Sequence, residues 1–287
     1  MFKSKQINQV NPLIDVQGHR GCRGLQPENS IPAFLFASEL GVDTLEMDAV
    51  ISKDHQVIIS HEPFFSHKFS TSPSGTSISK ADEKNHNIYN LTYSEIQAYD
   101  TGLRLNPDFP NQAKVPAYKP SLAEVVIAVR RRLTKLNKSH IYYNIEIKRK
   151  KEWDMVFHPD YKQFSDLVIK EVDRLNILKY TTIQCFDIET LVYIKSNYPL
   201  VKLVYLVSNL KPFKSNFKKL GFVPDIYSPH YKLVNRRLLS YCHERKIKVI
   251  PWTVNEIDTM KNLIQLGVTS IITDYPDRLI SVINNYD

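Results

Sequence analysis

Apolar and polar positions along the chain form two patterns that alternate with each other. Short apolar runs rich in β-branched residues are typical of buried strands, and longer segments with apolar residues every three or four positions are typical of amphipathic helices. The segment 121–133 illustrates the second pattern, because Ser121 and Glu124 add a capping box to its start. The predicted strands are 13–19, 43–51, 141–148, 181–187, 201–207, 225–230, 248–254 and 270–273, and the predicted helices are 30–40, 121–133, 161–176, 188–198, 211–220, 235–246, 256–266 and 277–285.

Eight strands, each followed by a helix, predict parallel strands joined by helical crossovers. In a chain of 287 residues, eight such units favour an α/β fold of the (β/α)8 TIM-barrel type, spanning 13–287. An open doubly wound sheet is the alternative. Periodicity does not separate the two folds, because both bury their strands on both faces.

One connection, the segment 62–120 after the second strand, is much longer than the others. Its 59 residues exceed the ~2–6 residues of an ordinary loop in such folds. The segment begins with many Ser and Thr residues and later carries Tyr, Phe and Leu, which favours an inserted subdomain or lid over a disordered decoration. In a barrel this insertion would lie on the catalytic face.

Composition and charge narrow the class of protein. With 43% hydrophobic and 24% charged residues, the chain is neither disordered nor fibrous. The excess of 38 Lys and Arg over 30 Asp and Glu, a formal charge of +8, favours anionic partners. No apolar run approaches the ~20 residues of a membrane span, so no stable membrane insertion is predicted. The first residues lack the apolar stretch of a signal peptide, which favours the cytoplasm and leaves a periplasmic or secreted location open. The oligomeric state stays open.

The end of the first predicted strand carries a glycine-rich loop. Three of the eight glycines, Gly18, Gly21 and Gly24, fall within seven residues there. Such a loop lets the backbone turn sharply and approach a ligand. The loop also carries His19, which exchanges a proton near neutral pH, and Arg20, whose planar guanidinium suits a phosphate or carboxylate. The loop is therefore a candidate site.

Carboxylates recur on two of the predicted strands. Glu46 and Asp48 are two residues apart, so they point to the same face of the second strand. On the third strand Glu146 and Lys148 share one face. Three acids without a cysteine favour one hard divalent cation, Mg²⁺ or Ca²⁺. The alternative is an internal salt-bridge cluster that these residues form with Arg20.

Two further residues are assigned to the candidate site because of their predicted positions on the strands. A two-residue turn at Asp54 and His55 would pair the returning strand so that His61 lies opposite Asp48. Trp252, on the seventh strand, is either an apolar wall of the pocket or an ordinary core residue. The other histidines are assigned to turns, the surface or the core.

Several segments together resemble a known family. HRGCRGLQPENS, GVDTLEMDAVISKDHQVIISHEP, NIEIK, PWTVN and GVTSIITDYPD follow one another between residues 17 and 276, and they closely resemble the glycerophosphodiester phosphodiesterases. The resemblance implies a TIM barrel with an insertion after the second strand. It also implies metal-dependent hydrolysis of a small anionic glycerophosphodiester to sn-glycerol 3-phosphate and an alcohol. The implied roles are general acid and base for His19 and His61, cation ligands for Glu46, Asp48 and Glu146, phosphate binding for Arg20 and Lys148, and a place beside the substrate for Trp252.

Two rival functions remain at this point. A lysophospholipase D or a sphingomyelinase D-like enzyme on the same fold would need a long acyl-accepting groove, whereas the polar start of the insertion favours small soluble substrates. A basic binding protein for nucleic acid or an anionic surface would use the runs 130–132, 148–151 and 211–219. Solvated helix faces and loops explain these runs better, since no nucleic-acid-binding motif accompanies them, and no nucleic-acid partner is predicted.

Overall fold

The computed structural model describes residues 14–285, in which eight parallel strands form a nearly closed barrel with helices between them. The predicted (β/α)8 fold is therefore confirmed. No helix within this described part is long and apolar enough to cross a membrane. The strands are β1 (Asp15–Gly18), β2 (Thr44–Ile51), β3 (Val57–Ile59), β4 (Tyr142–Ile147), β5 (Thr181–Cys185), β6 (Lys202–Val207), β7 (Ile226–Pro229), β8 (Lys248–Val249) and β9 (Ser270–Thr273). The helices are α1 (Ile31–Leu40), α2 (Tyr93–Ile96), α3 (Leu122–Lys135), α4 (Tyr161–Arg174), α5 (Ile188–Asn197), α6 (Phe213–Leu220), α7 (Arg236–Glu244), α8 (Ile257–Gln265) and α9 (Pro276–Asn284).

The strand order decides between the barrel and the open sheet. Neighbouring strands run β8-β7-β6-β5-β4-β2-β1-β9, with β3 antiparallel to β2. The two ends of this order meet, because the Val254 amide donates to the Ile272 carbonyl and the Ile272 amide donates to the Pro251 carbonyl, both at 3.0 Å. The open doubly wound sheet is thus excluded.

Local signals set most of the element ends. The Ser30 side chain accepts from the Ala33 amide and starts α1, and Gly41 ends that helix in the left-handed conformation. The predicted strand 248–254 is regular only over Lys248–Val249, since Pro251 has no amide hydrogen for the ladder. The first residue of the first predicted strand and of the predicted domain, Leu13, lies outside the described residues, as do the other N-terminal residues considered for a signal peptide.

The β2–β3 hairpin differs from its predicted register by one residue. Asp48 lies opposite Ser60, whose amide donates to the Asp48 carbonyl at 2.8 Å, so the predicted pairing of Asp48 with His61 is wrong. The turn contains the three residues 53–55, with His55 at a φ of +60°. A three-residue turn that ends in a left-handed residue replaces the two-residue turn and shifts the pairing.

The insertion 62–120 packs on the outside of this hairpin. Its apolar side chains form a small separate cluster with the outer face of β2 and β3. The segment then returns beside β3, where the Ile59 amide donates to the Pro120 carbonyl at 2.8 Å. Both ends of the insertion therefore lie next to the carboxyl end of β2. The cluster consists of Val50, Ile58, Phe65, Ile78, Ile88, Ile96 and Tyr99.

Candidate active site

A cavity of about 290 Å³ opens at the carboxyl ends of the barrel strands. All the site residues predicted from the sequence line it except Asp48, which lies behind the others within the carboxylate cluster described below. The structure thus brings the predicted residues together from five strands and their loops, namely β1, β2, β3, β4 and β8. The lining consists of His19, Arg20, Arg23, Glu46, His61, Glu146, Lys148, Gln184, Phe186, Leu206, Trp252, Thr253 and Ile272.

The glycine loop after β1 aims two of these residues inward. Gly21 has a φ of +86°, and a Cβ there would lie 2.7 Å from the Ala33 Cβ. A Cβ on Gly18 would lie 2.0 Å from the Gly21 carbonyl oxygen, so both positions require glycine. Arg20 follows at a φ of +51°, and its amide donates to Glu46 Oε2 at 2.8 Å. The loop is therefore tied directly to the acidic strand β2.

Three buried carboxylates meet in the cavity floor. Glu46, Asp48 and Glu146 each offer an oxygen within 4.8 Å of the others. Burial, together with the neighbouring charge of Asp48, raises the pKa of Glu46 well above its usual range and that of Glu146 to about 7. Burial would also raise the pKa of Asp48, but the nearby charges of Lys148, His61 and Arg20 hold it well below its usual range.

This cluster fits a hard divalent cation. Among the described residues, Asp48 Oδ1 is buried without a hydrogen-bond partner. Ion pairs of the alternative salt-bridge cluster are present, since Lys148 Nζ lies 2.8 Å from Glu146 Oε1 and Arg20 Nε lies 3.3 Å from Asp48 Oδ2. They still leave Asp48 Oδ1 without a hydrogen bond, since Lys148 Nζ lies 3.5 Å from it, and they leave the carboxyls of Glu46 and Glu146 with raised pKa values. A cation bound by three oxygen ligands relieves both penalties.

Two cations border the carboxylates. Burial opposes the charge on the Arg20 guanidinium, but Glu28, Asp48 and Glu46 raise its pKa. Burial acts in the same way on Lys148, and Glu146 and Asp48 raise its pKa to about 12. Both side chains therefore stay charged and face the cavity, where an anionic group would contact them.

His19 is held by a carboxylate from the far end of the chain. Its Nδ1 lies 2.6 Å from Asp274 Oδ1, and its Nε2 lies 3.9 Å from Glu46 Oε2. Burial, assisted by Arg23 and Arg20, lowers the pKa of His19 to about 4 against the opposing effect of Asp274. The imidazole is thus neutral near pH 7. Because the Asp274 carboxylate accepts from Nδ1–H, the Nε2 lone pair is free to take a proton.

The sequence patterns gave Asp274 no role. Arg23 donates to its two oxygens from Nε at 2.9 Å and Nη2 at 3.1 Å, and Asn255 Nδ2 donates to Oδ2 at 2.7 Å. These donors fix the carboxylate against His19. The only available signal was its place directly after β9, since residues at the carboxyl ends of barrel strands are often functional.

His61 reaches the cavity from the end of β3. Its Nδ1 lies 2.7 Å from Glu62 Oε1. Burial and the charges of Arg20 and Lys148 lower the pKa of His61. Burial would raise the pKa of Glu62, but the hydrogen bond from His61 lowers it to about 2, so this carboxylate is ionised and orients the ring. The shifted hairpin register therefore still delivers His61 to the site.

A buried lysine supports the turn that carries His61. Lys119 Nζ donates to Ser60 Oγ at 2.6 Å, and Ser60 Oγ donates to the Glu62 carbonyl at 2.5 Å. The ammonium also lies 5.4 Å from the centre of the Phe65 ring. Burial lowers the pKa of Lys119 to about 8. Nothing in the sequence pattern marks this residue, which stands at the end of the insertion.

Aromatic side chains form the opposite wall of the cavity. Trp252 Nε1 donates to the Ser228 carbonyl at 2.9 Å, which fixes the indole. The Phe186 ring stands edge-on to Trp252, with ring centres 5.5 Å apart. Of the two predicted placements of Trp252, the structure has the one at the pocket wall. Behind it, Gln184 Nε2 donates to Glu46 Oε1 at 2.7 Å and orients that carboxyl.

Comparison with known proteins identifies relatives along the whole chain. The sequence profile of the glycerophosphoryl diester phosphodiesterase family matches residues 19–278. A glycerophosphodiester phosphodiesterase of Caldanaerobacter subterraneus is 26% identical over 272 residues, covering 93% of this chain and 97% of the relative. Human lysophospholipase D GDPD1 is 25% identical over 297 residues, covering 93% of this chain and 85% of the relative. The structure of an Oleispira antarctica phosphodiesterase in complex with the product sn-glycerol-3-phosphate superposes with a TM-score of 0.72 at 18% identity, covering 95% of this chain and 98% of that chain.

Proposed function

Since the chain belongs to the glycerophosphoryl diester phosphodiesterase family, we propose that it hydrolyses glycerophosphodiesters to sn-glycerol 3-phosphate and an alcohol by acid–base catalysis at His19 and His61. The family membership confirms the resemblance found in the sequence and makes the chain a glycerophosphodiester phosphodiesterase by class. The observation that carries the residue roles is the pair of imidazoles at the cavity. Each is oriented by a carboxylate, Asp274 or Glu62, and each borders the three-carboxylate cluster.

The charged residues of the cavity would bind the phosphodiester. Glu46, Asp48 and Glu146 would hold one divalent cation, Mg²⁺ or Ca²⁺, which when bound neutralises the phosphate and draws electrons from its oxygens. Arg20 and Lys148 would contact the non-bridging oxygens and stabilise the charge that builds up on them. The three acids would thus bind the metal and the two positively charged side chains would bind the phosphate, which explains why both kinds of residue lie side by side.

The two imidazoles would move the protons. His19 is suited to be the base, because Asp274 accepts from Nδ1–H and stabilises the imidazolium that forms when Nε2 takes the proton of the nucleophile. The nucleophile would be water or the glycerol hydroxyl of the substrate itself, and in the second case the product is a cyclic phosphate that water then opens to sn-glycerol 3-phosphate. As its oxygen bonds to phosphorus, the bond to the alcohol breaks, and His61 would protonate the departing oxygen. Glu62 orients His61 for this step.

A single assay tests the proposal. The protein is incubated with glycerophosphocholine, glycerophosphoethanolamine or lysophosphatidylcholine, with and without a chelator, and sn-glycerol 3-phosphate is measured. We expect chelator-sensitive product release, and we expect His19→Ala to lower kcat by roughly 10²–10⁴-fold. His140→Ala, an exposed histidine just before β4 at the other end of the barrel, is the matched control. Near wild-type turnover by His19→Ala would refute the assignment.

A second candidate is lysophospholipase D activity. It is favoured by the exposed Phe186 ring at the edge of the cavity and by the likeness to the human lysophospholipase D. The cavity of about 290 Å³ lies at the lower limit for ligand pockets and would hold the headgroup while the acyl chain stayed outside. Cleavage of lysophosphatidylcholine without cleavage of glycerophosphocholine would favour this candidate.

A further inference from the structure

We propose that the carboxyl-end face of the barrel docks on a phospholipid surface. The contact would be made by four exposed apolar residues, Met155, Val156, Phe186 and Leu210, which we call the apolar rim. The inference rests on the proposed function, because it takes the cavity beside the rim as the catalytic site. The partner that would contact the apolar rim is a lipid aggregate that presents the substrate.

The β4–α4 loop presents the first two residues of the rim on a rigid tip. Met155 is 64% exposed and has a φ of +62°, which is uncommon for a residue other than glycine. The Met155 amide donates to the His158 carbonyl at 2.7 Å, and Asp154 accepts two hydrogen bonds from Arg149 at 3.0 and 2.6 Å. The backbone is thus fixed in a strained form that keeps apolar side chains in solvent.

The β6–α6 loop presents Leu210 in a basic setting. Leu210 is 91% exposed, the most exposed of the large apolar residues. The segment 208–224 around it contains Lys211, Lys214, Lys218 and Lys219 and no acidic residue. Of these lysines Lys211 is the direct neighbour of Leu210, and an exposed apolar side chain beside a lysine suits a surface with acyl chains beneath phosphate groups.

The rim is continuous with the cavity. The strands β4, β5 and β6 are neighbours in the sheet, so their carboxyl-end loops form one arc of the mouth. Phe186 lies in the middle of this arc, and it also lines the cavity next to Trp252. A lipid held at the rim would therefore place its headgroup in the cavity without leaving the surface. Between the rim and the cavity, Phe186 and Trp252 would contact the glycerol and the first acyl carbons of this lipid.

The charges around the rim differ between its two ends, and only the end near Leu210 favours an anionic lipid. Near Met155 the charges balance, because Lys151 pairs with Glu189 at 2.9 Å and Arg149 pairs with Asp187 at 2.6 Å. Positive charge without acidic neighbours in the sequence is found near Leu210. We therefore expect binding to phosphatidylcholine vesicles to strengthen when an anionic lipid is added, and salt to reverse that part of the binding.

Vesicle flotation tests the docking surface. The full chain is floated with vesicles of phosphatidylcholine, with and without phosphatidylglycerol. The double variant Met155→Asp, Leu210→Asp should bind at least roughly tenfold more weakly than wild type, since both apolar contacts are lost. The matched control is Leu200→Asp, because Leu200 is 83% exposed but lies before β6, at the opposite end of the barrel. Circular dichroism establishes that the variants are folded.

Activity measurements separate this inference from the proposed function. We expect the double variant to hydrolyse glycerophosphocholine like wild type and to lose the extra rate on lysophosphatidylcholine above its micelle concentration. Wild type that does not float, or a double variant that floats equally well, would overturn the docking. So would a rim that mediates self-association, seen as a dimer that the double variant converts to a monomer. Flotation without hydrolysis of either substrate would instead refute the catalytic function and leave the docking intact.

Discussion

The two mouths of the barrel contain the same kinds of residues in different arrangements. The mouth at the amino ends of the strands has a cavity of about 610 Å³, larger than the one of about 290 Å³ at the carboxyl ends. It too is lined by charged side chains, including Lys202, Lys248 and Asp225. Its acids are individually satisfied, as where the Leu203 amide donates to Asp225 at 2.9 Å. Its lysines are exposed to solvent.

At the carboxyl mouth the acids instead share one buried space. Oxygens of Glu46, Asp48 and Glu146 lie within 4.8 Å of one another, and among residues 14–285 Asp48 Oδ1 has no hydrogen-bond partner, although Lys148 Nζ lies 3.5 Å away. Neither the volume of a cavity nor the number of charged residues around it therefore identifies the catalytic site. The informative feature is the concentration of buried carboxylates that the neighbouring Arg20 and Lys148 compensate only in part.

Neutral amides separate the two mouths inside the barrel. Gln17 Nε2 donates to Asp15 Oδ2 at 2.7 Å, Asn144 Nδ2 donates to the Gln17 and Gln184 side chains, and Gln184 donates to Glu46. This chain fills part of the barrel interior with satisfied polar groups, beside an apolar cluster of Val204, Ile226, Ile250 and Ile272. It also orients one carboxylate of the site from below.

The largest difference in kcat between variants of the two mouths is expected when one aspartate in each mouth is replaced by asparagine. Asp274→Asn removes the carboxylate that accepts from His19 Nδ1–H, and we expect kcat to fall by roughly 10⁴-fold with little change in KM. Asp225→Asn, at the amino mouth, should leave both constants unchanged. Steady-state kinetics and their pH profiles check this. Equal losses in the two variants would mean that Asp274 only stabilises the fold.

Cation binding should also distinguish the mouths. We expect calorimetry with Mg²⁺ or Ca²⁺ to detect one bound cation per chain, with affinity rising between about pH 6 and 8, because the cation must displace the proton from Glu146, whose pKa is about 7. Glu146→Gln should weaken binding roughly 10–100-fold. Asp225→Asn again serves as the control. Unchanged affinity in Glu146→Gln would place the cation elsewhere.

The burial of His19 predicts how stability depends on pH. The folded imidazole has a pKa of about 4, against 6.5 for the unfolded chain, so between these values the unfolded state binds the extra proton. Acidification through this window should therefore lower the free energy of unfolding, by roughly 2–3 kcal/mol at its end. Urea titrations in the presence of a chelator measure this loss, which His19→Asn should reduce. A variant with the wild-type slope would contradict the burial effect.

The smallest effect on kcat is expected for Lys119, the residue of the insertion that supports the turn carrying His61. Lys119→Met keeps the length of the side chain but removes the hydrogen bond to Ser60 Oγ, and the turn that carries His61 loses one of its supports. We expect kcat to fall by up to about tenfold, since a net hydrogen bond of about 1–1.5 kcal/mol corresponds to that factor. Lys114→Met, in the same insertion, is the control. Recovery of kcat in Lys119→Arg would distinguish positioning from packing.

The accuracy of the sequence predictions depended on the range of the interactions involved. Strands, helices and caps followed from neighbouring residues, as at Ser30 and Ser121. The β2–β3 register failed because one left-handed residue, His55, lengthened the turn. Asp274 was missed because its contact with His19 spans 255 residues. Lys119 was missed because it acts through Ser60, and no local pattern reports such an indirect contact.

The sequence by itself determined the (β/α)8 succession, the family and most of the charged residues that line the cavity. These depend on periodicity and on short motifs at strand ends, which are local properties of the chain. Only the tertiary structure decided how the groups are partnered: that Asp274 orients His19, that Asp48 keeps an unbonded oxygen, and that Leu210 stays exposed beside the mouth. Burial and distance between remote residues set these properties, and both arise only when the barrel closes.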